Sequence, residues 1–196
     1  MHSETHLVGH LCMKRVIASC KTTETDGKTP MTMDTDSVET VRDGREDFDF
    51  FIGSWKGHQR RLRERLKGSQ SWEEFESVSV VRKMLGGLGN FDEVTMQRAS
   101  GEMRGVTVRL FNPETRQWSI YWADSIGATL GAPMVGEFKD GVGVFYDYEP
   151  FEGKQIFSRF LWTHDSPDTC RWEQAFSQDG GATWETNWTM DFTRLS

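Results

Sequence analysis

The chain has 196 residues, 36% hydrophobic and 27% charged, a size and balance that suit one globular domain, since domains run about 100–200 residues. Its 23 Lys and Arg against 30 Asp and Glu leave a formal charge of -7, which argues against nucleic acid or an anionic membrane as a general partner. Cys12, Cys20 and Cys170 are odd in number, which argues against a disulfide framework. The longest apolar stretch near the start, "HLVGHLCMKRVIASC", is broken by His10, Lys14 and Arg15, so neither a membrane span nor a signal peptide is read. A cytoplasmic, reducing setting is the expectation.

Residues 1–46 are rich in Thr, Asp, Glu and Ser and poor in aromatics. Such a segment buries too little apolar surface to offset the entropy of ordering, and it is expected to be a disordered polar tail ahead of a domain at 47–196. His2, His6, His10 and Cys12 have the spacing of metal ligands, but a polar tail collects such sets by chance, so no metal and no cofactor is assigned. Met31 and Met33 precede "DTDSVETVRDGRED" and are candidate translation starts, a point that N-terminal mass analysis of native protein decides.

From Asp47 the pattern changes to short runs of Trp, Phe, Tyr and Val, with Gly, Asn-Pro, Asp-Gly and Gly-Gly signals every dozen or so residues. The apolar "DFDFFIGSWKG" at 47–57 predicts a short helical turn leading into a strand at 54–66. That strand carries "KGHQRRLRERLKG". At strand period Arg61, Arg63 and Arg65 share one face and Lys56, His58 and Arg60 the other; an Arg60 turned inward would matter most. A strand at 71–83 follows, then "MLGGLGN" at 84–90. This glycine run lacks the Lys-Ser/Thr of a phosphate loop and reads as a flexible turn at a cavity mouth.

Strands are expected next at 91–98 and 105–111, with "NPET" at 112–115 as a type I turn. Strands at 117–124, 132–138, 142–149 and 155–163 come after it, "KDG" at 139–141 making one hairpin. The final pair is 170–177 and 184–194. In the last, Trp184, Thr186, Trp188, Met190, Phe192 and Arg194 alternate with Glu185, Asn187, Thr189, Asp191 and Thr193, an apolar face against a wet one. In 170–177 Gln174 is a polar residue on the apolar side, shared with Trp172 and Phe176. About ten antiparallel strands without long crossovers predict an all-β chain closed as an up-and-down barrel, because closure removes the unpaired edges.

"SQDGGATWETNW" at 177–188 has the Asp-box pattern found in several blades of sialidase-like propellers. One copy cannot build a propeller. Its Asp179 suits turn amides and its glycines suit positive φ, so it is read as a hairpin clasp between the last two strands.

Gly53-Ser54-Trp55 at the first strand and Arg194 at the last resemble the calycin group, the lipocalin-like barrels. The wider set "FIGSW", "FNPETRQWSIYW", "GEFKDGVGVFY" and "SQDGGATWETNWTMDF" is similar to a family of calycin-like domains of unknown function. That resemblance implies a barrel with an internal cavity, a helical turn closing one end, and Trp55 packed against Arg194 as the closure.

Eight Trp in one modest domain exceed what packing demands, and Trp and Tyr can orient a ligand inside an apolar cavity. The first expectation is therefore a barrel that binds a small hydrophobic or amphipathic molecule, with Trp122, Trp162, Trp172 and Trp188 as walls and Arg159 or Gln174 as orienting groups. Arg159 alternates with Phe157 and Leu161, and the strand leaves open whether that face or Ile156, Phe160 and Trp162 points inward. The second is a cavity enzyme of isomerase, cyclase or hydratase type in which Asp124, Glu137 or His164 moves a proton. The third is an interaction module that uses the basic first strand.

Overall fold

The computed structural model describes residues 42–195. Most of the expected tail, with His2, His6, His10 and Cys12, lies outside them. Residues 42–46 lie inside, and the Gly44 carbonyl accepts a hydrogen bond from Trp118 Nε1 at 3.0 Å.

After a 3-10 turn at Asp49–Phe51 come β1 (Gly53–Leu62), β2 (Trp72–Met84), β3 (Gly89–Arg98), β4 (Gly101–Asn112) and β5 (Gln117–Asp124), with a second 3-10 turn at Leu85–Gly87 between β2 and β3. They are followed by β6 (Met134–Lys139), β7 (Val142–Phe151), β8 (Lys154–Ser166), β9 (Thr169–Ser177) and β10 (Glu185–Arg194). Each strand pairs antiparallel with the next, and β10 pairs back onto β1, so the sheet is a closed up-and-down barrel. All the expected strands are present. The first stops at Leu62, because the chain beyond it turns, with Leu66 at φ 59°.

The first 3-10 turn is the expected closure. It drives Phe48 and Phe51, each 1% exposed, into one barrel end. Phe48 meets Trp118 and Phe138 edge to face at 5.0 and 4.9 Å, and Phe51 lies 4.8 Å from Trp162 and 5.1 Å from Phe192. These distances are those of favourable aromatic pairs.

Arg194 locks the turn in place. Its guanidinium lies 4.2 Å from the Trp55 ring centroid. It also donates to the carbonyls of Phe50 (2.6 Å), Ile52 (2.7 Å) and Pro167 (2.9 Å). Gly53 has φ +129°, and a β-carbon there would sit 2.6 Å from Arg194 Nη1, so this residue of the Gly-x-Trp triplet leaves room for the guanidinium.

On β8, Ile156, Ser158 and Trp162 are buried, which settles the parity of that strand. Arg159 therefore points outward. The glycine run at 84–90 sits at the closed end and not at a cavity mouth: the Leu88 carbonyl accepts from Phe111 N at 2.9 Å.

The alternation of β10 is interrupted. A bulge between Thr186 and Trp188 shifts the register against β9, and an extra residue flips every side chain beyond it. Trp188 faces inward, whereas Trp184, expected on the same face, lies outside against Arg159 and Tyr146 at 4.5 and 6.1 Å. The preceding hairpin is held by Asp179. Its carboxylate accepts from the Thr183 hydroxyl (2.6 Å), the Thr183 amide (2.9 Å) and Ser177 Oγ (2.7 Å), while Gly180 and Gly181 have φ 72° and 89°.

Two predictions follow from these contacts. Arg194→Ala leaves three carbonyls without their donor and should cost about 2–4 kcal/mol, a fall in Tm of roughly 5–12 °C; Arg194→Lys keeps the charge but not the fork and should lose less. A thermal melt of Arg194→Ala indistinguishable from wild type would remove the closure role.

For the hairpin, the Thr183 hydroxyl first, then its amide and Ser177, hold the Asp179 carboxyl down to about 2. A lowered folded value means that the clasp is intact above the ordinary carboxylate range near pH 4 and is lost as pH falls from there toward 2. The Thr183 amide resonance of the folded protein should titrate with a midpoint at about 2 in wild type and stay flat in Asp179→Asn.

Candidate ligand cavity

Inside the barrel is a cavity of about 470 Å³, within the range of small-molecule sites. Its apolar walls include Trp122 on β5, Phe160 and Trp162 on β8, Trp172 on β9, and Trp188 and Met190 on β10. Trp172 meets Trp188 edge to face at 5.7 Å and Phe160 at 4.8 Å. Trp122 packs over Gly105, where any β-carbon would collide with the indole.

Buried amides hold this wall in position. Trp188 Nε1 donates to Gln59 Oε1 at 2.9 Å, and Gln174 Nε2 donates to Asn187 Oδ1 at 2.8 Å. Gln59 and Asn187 are fully buried. Each pair gives a buried amide oxygen a donor, and together they fix the orientation of Trp188 and Gln174.

The floor is charged. Arg109, on β4 and 3% exposed, donates from Nη1 to Asp92 Oδ1 (2.6 Å) and Asn90 Oδ1 (3.0 Å) of β3. Its guanidinium lies 5.1–5.5 Å from the ring centroids of Phe51, Phe48 and Trp162, so the aromatic closure packs directly against the cation. Thr107, two residues earlier on the same face, also lines the cavity.

The cavity opens through the side of the barrel. The β5–β6 ladder has register pairs only from Trp118↔Gly136 to Ile120↔Met134, and β6 meets β7 only as far as Tyr146. Beyond them Tyr121–Asp124 of β5 and Asp147–Phe151 of β7 have no strand between them. Gly131, Ala132, Asp147, Tyr148, Glu149 and Pro150 line this gap.

At the end opposite the aromatic closure, Arg61 turns inward and lies 4.8 Å from the Trp188 ring. Arg60 faces outward to Glu74 at 3.1 Å. Burial, reinforced by the neighbouring charges of Arg65 and Arg98, pulls Arg61 down to about 10, still protonated at neutral pH. On the outer face of β1, Lys56 and His58 pair with Glu76 at 3.1 and 3.0 Å. The basic strand is thus largely matched by acids of β2.

Of the residues expected at a site, Trp122, Trp162, Trp172, Gln174 and Trp188 come together around the cavity. Arg159 does not. The three proton-transfer candidates lie elsewhere. Asp124 caps the turn after β5, accepting from Gly127 N (2.8 Å) and Ile126 N (2.9 Å), and the Gly127 amide foremost holds its carboxyl below the ordinary range. Glu137 is exposed on β6, and His164 is exposed against Phe50 at 4.4 Å near the closed end.

Sequence reasoning passed over Arg109, Thr107, Asp147 and Glu149. The signal was present in "GVTVRLF": Val106, Val108 and Leu110 of β4 point outward and Thr107 and Arg109 inward, the reverse of the usual apolar-in reading. "FYDYEP" on β7 hides Asp147 and Glu149 in the same way.

No protein-family model matches the chain, and no curated protein matches it by sequence. Among solved structures, the S-type phycobiliprotein lyase CPES from Guillardia theta is similar in fold, with a TM-score of 0.54 at 13% identity over 79% of this chain and 96% of that one. The protein EF1p2_mFAP2b, solved bound to DFHBI, aligns over 78% of this chain and 99% of its own at a TM-score of 0.40 and 10% identity. The likeness to the lyase is one of barrel fold. No helix among the described residues is long and apolar enough to cross a membrane.

Proposed function

We propose that the protein binds a small hydrophobic or amphipathic molecule within its barrel. The observation that carries this reading is the cavity of about 470 Å³ walled by Trp122, Trp162, Trp172 and Trp188. A core built only for stability closes such a space, because unfilled volume forfeits dispersion contacts. Here Gln59 holds the Trp188 indole, and Asn187 holds the Gln174 amide, at the edge of the space instead of across it. A wall fixed in advance lowers the ordering cost of binding, and indoles offer a flat ligand both stacking and edge contacts.

The side opening supplies a route of access, and its Tyr148, Asp147 and Glu149 give it a polar rim around an apolar interior. An amphipathic molecule with a planar body suits that gradient. Fold likeness adds no substrate, since one architecture hosts many functions.

The test is tryptophan fluorescence titrated with a panel of aromatic and aliphatic amphipaths. Saturable quenching at one ligand per chain is expected, and Trp188→Ala should weaken the best ligand about tenfold, the value of one good aromatic contact. Failure of every apolar ligand to perturb the emission overturns the proposal. Product analysis of the same mixtures would expose turnover.

A further inference from the structure

We propose that the buried end of the ligand carries an uncharged, carbonyl-type oxygen that accepts a hydrogen bond from Arg109 at the cavity floor. The inference rests on the cavity-binding reading above and adds the polarity of what is bound.

A guanidinium carries five N–H donors in a fixed fork. Both hydrogen bonds that Arg109 makes leave from Nη1, to Asp92 and Asn90, and Nε is sealed in the interior without a partner. The two donors of Nη2 and that of Nε are thus left without an acceptor in a residue that is 3% exposed and lines the cavity. A buried donor left unmatched is costly; Nε is sealed from the cavity and stays unpaired, whereas a ligand oxygen set against Nη2 gives that nitrogen an acceptor. Thr107, beside Arg109 on the same inward face, brings a hydroxyl to the same wall.

The charge balance selects the kind of oxygen. Asp92 already neutralises Arg109 at 2.6 Å, so a carboxylate on the same guanidinium would leave a net negative charge in a water-poor site, at a large desolvation cost. It would also pass Asp147 and Glu149, which line the opening. A ketone, ester, amide or lactam oxygen takes an Nη2 donor without adding charge, and a cationic donor strengthens the bond.

Equilibrium dialysis of the full chain against three naphthalenes of matched shape tests this: 2-acetylnaphthalene, 2-ethylnaphthalene and 2-naphthoate. The ketone should bind about tenfold or more tightly than the hydrocarbon, the scale of one charge-assisted hydrogen bond, and at least as tightly as the carboxylate. The infrared carbonyl stretch of the bound ketone should move to lower frequency.

Arg109→Lys keeps a cation beside Asp92 but removes the fork, so the ketone-to-hydrocarbon ratio should fall toward one and the carbonyl shift should shrink. If that variant does not fold, the charge-neutral pair Asp92→Asn with Arg109→Met tests the same ratio. Equal affinity for ketone and hydrocarbon in wild type overturns the inference while leaving cavity binding intact. Tightest binding of 2-naphthoate overturns the uncharged assignment. Binding of none of the three sinks the cavity reading itself.

Discussion

The contact of Arg194 with Trp55 and the backbone around it is the constraint on which the barrel depends. Every other ladder joins strands adjacent in sequence; only β10 to β1 joins the two ends of the domain, with Trp55 opposite Arg194. That ladder bears the largest loop-closure entropy and has no turn to fix its register. A planar fork that reaches the carbonyls of Phe50 and Ile52 ahead of β1 and of Pro167 in the β8–β9 turn ties three separate parts of the chain at one point. The absence of a side chain at Gly53 makes that point accessible.

The cavity floor follows from this closure. Holding the 3-10 turn in the barrel end places Phe48 and Phe51 against the Arg109 guanidinium, which shields the Arg109–Asp92 pair from water on that side. A buried ion pair is a weak source of stability, and an apolar pair of similar volume would often serve folding as well. Its presence between the aromatic closure and the cavity therefore says more about what the cavity meets than about how the barrel holds together.

Much of the architecture is legible in the residues, because turn chemistry and two-residue alternation act locally. The Asp179 hairpin, the Gly-x-Trp triplet and the apolar stripe from Trp188 to Arg194 each declare themselves within a dozen positions. What escapes is whatever depends on which face of a strand is the inside. On β4, valines outside and Thr107 and Arg109 inside invert the expected pattern, and only pairing with Asn90 and Asp92 across β3 makes the inversion affordable. On β10 the bulge at Thr186 and Trp188 has no marker in composition, yet it decides that Trp184 packs outside with Arg159. Arg159 and Arg109 sit on similar alternating runs, and the sequence pattern alone leaves open which of them turns inward; the structure turns Arg109 in and Arg159 out.

The side opening is a consequence of unequal ladders. Where β1, β2, β3 and β4 pair over nearly their full lengths, β5 and β6 share only the short register from Trp118 to Ile120. Parting the barrel there breaks the fewest backbone hydrogen bonds, so the barrel opens most readily on this side and least readily at the aromatic closure. Pro150 lies in the stretch of β7 that has no neighbour on the β6 side. Proline is tolerated at such edges because it has no N–H to donate, and it discourages another chain from adding a strand. The same residue thus leaves the gap unattractive to an extended peptide that would add a strand there.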